Sequence, residues 1–84
     1  MIHDTRPWYR ARGGAALGEA VRDARRDAGL NQDQLALRAG TSRPTVSRLE
    51  RGQDVTTTTL LDTLAACGYE LVVVPRGARI HVED

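Results

Sequence analysis

The sequence predicts a mainly α protein, four short helices followed by a single β-strand. Three observations carry that expectation. Apolar residues recur at three- and four-residue intervals in four stretches, which end at Gly29, Gly40, Gly52 and Gly68. Three of the stretches open on a residue suited to cap a helix: Asn31, Ser42 and Thr56. Beyond Gly68 the pattern changes to a nearly continuous β-branched run, Tyr69-Glu70-Leu71-Val72-Val73-Val74.

Each element follows from its own residues. Residues 1–13 hold Pro7, the Trp8-Tyr9 pair, three Arg and the start of Gly13-Gly14, and predict an irregular arm. A first helix over about 14–28 places Leu17, Ala20, Val21, Ala24 and Ala28 on one face. The second, over 32–39, has a capping box in Asn31 and Gln34, with Leu30 and Leu35 as its hydrophobic staple. The third, over 43–51, begins after Ser42 and tolerates Pro44 in its first turn, where a backbone N–H has no helical partner. Val46 and Leu49 face inward there. Pro44, Ser47, Arg48 and Arg51 face away, and Arg43 stands at the leading tip. A fourth helix starts within Thr56–Thr59 and carries an inward stripe of Leu60, Leu61, Leu64 and Cys67 up to Gly68. The strand ends at Pro75, and 76–84 form a tail.

Composition narrows the class. The chain has 84 residues and no Phe, so it supports one domain with a core of Leu, Val and Ala. One cysteine allows no internal disulfide, no apolar run reaches the roughly 20 residues of a membrane span, and MIHDTRPWYR lacks a signal-peptide core. A cytoplasmic, nucleoid-associated protein with no membrane partner is expected. The net charge of +1 conceals an asymmetry. Residues 1–53 carry ten Arg against six acids, net +4; residues 54–84 carry two against five, net −3. Every basic residue is Arg. Its planar fork suits phosphate and guanine, although a genomic preference for Arg codons accounts for the bias equally well.

Two short helices joined by Gly40-Thr41-Ser42 make a helix-turn-helix unit. The first helix braces the second, whose exposed face fits a major groove. Over about 17–68, and most strongly over 30–52, the chain resembles the XRE/Cro family of phage-repressor-like proteins. The resemblance rests on Gln32, Ala36-x-x-Ala39-Gly40, Ser42, Val46 and Leu49-Glu50-Arg51-Gly52. It implies a DNA-binding domain over 14–68. Arg43, Pro44 and Arg48 then match base-contacting positions. Gln32 and Arg51 match phosphate-contacting ones, with Ser42, Thr45 and Ser47 in backbone or supporting places. Arg25 and Glu50 match a pair that forms an internal ion pair. Thr41 departs from the family, which commonly has Val there.

The strand poses a question of accounting, because its backbone polar groups need partners. Either residues 70–74 (Glu70, Leu71, Val72, Val73, Val74) pair with their copy in a second subunit, or Pro75-Arg76-Gly77-Ala78 turns the chain so that 79–82 form a hairpin. The first is favoured, because the second run is short and ends in acids; residues 69–75 are then a dimerisation strand. A helix-turn-helix, a Leu-rich helix and then GYELVVVPR is similar to HipB-like antitoxins. That resemblance implies a homodimer on an inverted-repeat operator in double-stranded DNA, repressing its own operon and neutralising a HipA-like kinase toxin. Two alternatives remain: a stand-alone XRE-family or phage-type regulator, and an interaction module that no longer binds DNA.

No acid/base pair, metal cluster or activated nucleophile is visible, so no enzymatic activity, cofactor or metal is expected. Cys67 lies on an apolar stripe and reads as core. His3 and His81 have no ligand-spaced neighbours. Trp8 and Tyr9 either pack on the domain or contact a partner or DNA.

Overall fold

The computed structural model describes residues 2–3 and 5–83, leaving out Met1, Asp4 and Asp84. Its elements in chain order are β1 (Ile2–His3), α1 (Gly14–Asp27), α2 (Gln32–Ala39), α3 (Arg43–Glu50), α4 (Thr57–Ala66) and β2 (Val82–Glu83). The four helices lie where apolar periodicity and capping place them, because the N-termini of α2, α3 and α4 are each specified by a local side-chain cap, while α1 opens on Gly13 without one. The Asn31 side chain accepts from the Gln34 N–H while the Gln34 side chain accepts from the Asn31 N–H, closing the capping box. Ser42 and Thr56 cap α3 and α4 by accepting from the N–H groups three residues on. Gly40, at φ 68°, ends α2 in the left-handed region, and this sharp exit swings the chain into α3.

The core forms two adjoining clusters. Ala24, Leu30, Leu35, Ala36, Val46 and Cys67 make one, joined from the edge by Tyr9, Ala66 and Tyr69. Val21, Leu49 and Leu64 make the other, with Leu17, Val55 and Leu60 half-buried beside them. Two expected core positions face solvent. Ala28 is exposed because α1 ends at Asp27 and Ala28 is already its C-cap. Leu61 is 44% exposed, and Thr63 takes an interior place on α4 instead. Thr63 is fully buried because its hydroxyl donates to the Thr59 carbonyl within its own helix, at 2.7 Å.

One approach of backbone to backbone fixes α3 against α1. Gly18 is buried, and a Cβ there would lie 2.6 and 2.7 Å from the carbonyl oxygens of Glu50 and Leu49. A Cβ on Gly14, one turn earlier, would lie 2.9 Å from the Gly52 carbonyl. The glycine edge of α1 thus seats the last turn of α3.

The chain ends differ from expectation. Residues 69–75 form no ladder among the described residues, nor does a hairpin form through Gly77, whose turn is closed by the Ala78 N–H on the Pro75 carbonyl at 3.0 Å. Leu71, Val72, Val73 and Val74 are exposed. The arm is not wholly irregular, since Ile2–His3 pairs in parallel with Val82–Glu83. A strand needs a neighbour, and residues 70–74 have none among the described residues of their own chain.

Candidate nucleic-acid interface

The exposed face of α3 is built from its buried one. Val46 and Leu49 are 1% and 3% exposed, and their burial against α1 and α2 fixes the roll of the helix. Arg43, Pro44, Arg48 and Arg51 then face solvent, with Thr45 and Ser47 half-buried at the margins. Ser42, exposed at the tip, meets the Thr45 hydroxyl at 2.9 Å as well as capping the helix. This single face holds the three residues expected to contact bases and four of the five expected to contact or support the DNA backbone.

Its cations are partly oriented. The Arg48 guanidinium donates to the Asp54 carbonyl at 2.9 Å, tying α3 to the loop that leads into α4. Arg43 lies 3.7 Å from the Asp33 carboxylate on α2, both well exposed, so water screens the pair and leaves the guanidinium free to exchange partners. Asp33 and Asp54 carried no signal of this role in the sequence, because each contact spans a turn or loop whose path is set by the fold.

Behind the face sits a buried polar brace. Arg25 Nε and Nη2 donate to the two Glu50 carboxylate oxygens at 2.7 and 2.9 Å, and Nη1 donates to the Leu30 carbonyl at 3.0 Å. The two side chains are 10% and 5% exposed. The hydrogen bonds to Glu50 push the Arg25 guanidinium above its ordinary value despite burial. Gln32, placed at a phosphate-contacting position by family resemblance, donates its amide to Glu50 at 3.2 Å. One carboxylate at the end of α3 thereby gathers α1, the turn before α2 and the first residue of α2. The sequence offered Arg25 and Glu50 through resemblance. Gly18 was not among the residues expected to matter; its only mark in the sequence is the Gly14-x-x-x-Gly18 spacing, whose meaning appears once α3 lies against it.

Burial raises the Cys67 thiol above its ordinary value, which suits a core side chain rather than a nucleophile. Among the described residues no group of three or more His, Cys, Asp or Glu is placed to hold a metal ion. No helix there is long and apolar enough to cross a membrane.

Comparison with known proteins agrees with this geometry. The family model of the helix-turn-helix domain matches residues 16–75. Among solved structures, the restriction-modification controller protein C.AhdI from Aeromonas hydrophila is 33% identical, with a TM-score of 0.64 over 68% of this chain and 84% of that one. The clp gene regulator ClgR from C. glutamicum is 34% identical, with a TM-score of 0.65 over 69% of this chain and 76% of that one. A chain of the HipA-HipB-O2-O3 complex shares the fold at 23% identity, with a TM-score of 0.73 over 82% of this chain and 99% of that one. No match was found among curated protein sequences. With the family model spanning most of the chain and α2–α3 carrying the motif, the protein belongs to the helix-turn-helix domain family, in its XRE type, and has the fold of a DNA-binding transcription regulator.

Proposed function

We propose that the chain is a dimeric repressor that reads an inverted-repeat operator with α3 and acts by binding alone, without catalysis. The observation that carries this reading is the braced helix whose outward face presents Arg43, Arg48 and Arg51 while its inward face is sealed into the core. Arg43 and Arg48 contact base edges, with Pro44 between them. Arg51 and Gln32 hold the DNA backbone, Gln32 turning its amide out from Glu50, and Ser42, Thr45 and Ser47 support the docking. The exposed segment 70–74, apolar from Leu71 onward, supports pairing with a second copy, which would set the spacing between two recognition helices.

Of the finer roles, we favour a HipB-type antitoxin that represses its own operon in the cytoplasm and neutralises a HipA-like kinase. The likeness to the HipA-HipB-O2-O3 chain extends over more of this protein than the other two do. A stand-alone regulator is the second reading, favoured by the higher identity to the controller protein and to ClgR.

Gel shifts with specific and random duplexes test the DNA reading. Arg43→Ala should cut the preference for the specific site by about 1–3 kcal/mol, the worth of one bidentate arginine–base contact. Arg51→Ala should weaken all duplexes alike and reduce the salt slope by about one. Equal binding of all duplexes by the wild type contradicts the proposal. Purification from the native cell tests the antitoxin role: a co-purifying kinase whose activity the chain suppresses supports it, and repression with no such kinase favours the stand-alone regulator.

A further inference from the structure

The N-terminal arm makes contacts that neither the helix-turn-helix nor the segment 70–74 requires. Arg6 donates to the Gly68 carbonyl at 3.0 Å, where α4 has run out of helical N–H partners, and its guanidinium lies 5.6 Å from the centre of the Tyr69 ring. The Tyr69 hydroxyl donates to the Pro7 carbonyl at 2.7 Å, and the Tyr9 and Tyr69 rings pack 5.8 Å apart. Arg10 donates to the Ala78 carbonyl at 2.9 Å, just past the turn at Gly77. The backbone of Ile2–His3 pairs with Val82–Glu83. The C-terminal extension is therefore fastened to the arm at 68–69, at 78 and at 82–83. Between the first two fastenings the chain is exposed from residue 70 to 77, and that stretch contains Leu71 to Val74. Val73 is 91% exposed and makes almost no use of its apolar surface within the chain.

We propose that the arm is an intrachain strap, which holds both ends of the 70–77 segment so that the second copy meets a strand already presented at the surface. The inference rests on the dimer reading above and adds to it a residue set, Arg6, Arg10 and Tyr69, that governs dimer affinity from outside the paired residues 70–74. The physical reason is entropic. A segment fastened at two points has less freedom to lose on pairing than a free tail, so more of the pairing energy appears as affinity. Arg6 and Arg10 bind backbone carbonyls, so those two fastenings depend on where the chain runs, while the remaining side-chain contact is supplied by Tyr69.

The full-length chain with Arg6→Ala, Arg10→Ala and Tyr69→Phe tests this, compared with the wild type by sedimentation over a concentration series. The protein has one tryptophan, Trp8, which is 42% exposed and sits inside the strap, so its quenching by iodide reports release of the arm. The expected result is unchanged helical circular dichroism, more quenching of Trp8 and a dimer dissociation constant raised by about tenfold or more, the scale of ordering a few residues. An unchanged or tighter dimer with Trp8 more quenched overturns the strap, and so does a weaker dimer with Trp8 quenched no more than in the wild type. If the triple variant loses its helical signal, Arg10→Ala alone, which gives up only the Ala78 contact, is expected to show the same direction in both readouts; no change in either overturns the proposal. A wild type that is monomeric at every concentration overturns the dimer reading itself, and the strap's purpose with it.

Discussion

Removing the Arg25 guanidinium leaves the Glu50 carboxylate 5% exposed with only the Gln32 amide to hold it. An uncompensated buried charge is far more costly than the intact pair is stabilising, so Arg25→Ala and Glu50→Ala should each cost about 3 kcal/mol or more. A double-mutant cycle in denaturant is expected to show strong coupling; additive losses would mean that the brace is incidental. Tyr69 gives a second prediction at this scale. Burial first, then the neighbouring Tyr9, pushes its phenol up to about 12 from an ordinary 10, and Tyr9 itself is raised by burial. A raised folded value for an acid that ionises to an anion favours the neutral, donating hydroxyl. The stabilisation is therefore complete below pH 10 and lost as pH rises toward 12. Ultraviolet titration should show little phenolate at pH 10 in the folded protein, and Tyr69→Phe should abolish the late step. A midpoint at the ordinary value for both tyrosines would show the hydroxyl of Tyr69 to be in water.

At the scale of elements, α3 is positioned by what lies behind it. Gly18→Ala would gain about 1 kcal/mol in helix propensity. It would also drive a Cβ into three backbone atoms of residues 49, 50 and 52, all nearer than 3 Å. Backbone cannot rotate aside as a side chain can, so the clash wins, with a net loss of about 1–2 kcal/mol and a displaced recognition helix. A lower melting temperature together with weaker operator binding is expected, whereas Gly13→Ala, which meets open space, should change both little. A Gly18→Ala protein as stable as the wild type would refute the close approach. Range along the chain decides which of these features are legible in the sequence. Caps, glycine exits and the inward pair Val46 and Leu49 act over three or four residues, so the helices and the exposed face of α3 can be read from the residues alone. Gly18, Asp33, Asp54 and the arm's contacts act across 6 to 80 positions, and no local pattern encodes them. Leu61 misled for the related reason that α4 is only ten residues long, and its buried stripe passes through Thr63 and Leu64.

At the scale of the whole molecule, the exposed segment 70–74, with no backbone partner among the described residues, and the outward face of α3 are one problem, because a dimer joined through the segment would place two recognition helices on one duplex. The Val72 N–H has no backbone partner among the described residues, so Val72→Pro should leave the folded protomer intact. It should remove a donor from any ladder with a second copy. Dimerisation and cooperative DNA binding are expected to be lost while helical content persists; a Val72→Pro dimer would move the interface elsewhere, most plainly to α4. The most direct test of the account is selection of bound duplexes from a random library by the wild-type protein. The expected product is a two-fold-related pair of half-sites whose centres lie about 34–36 Å apart, one turn of the double helix, with loss of enrichment for Arg43→Ala. Sequences no richer in any motif than the starting library, or a single unpaired half-site, would contradict it.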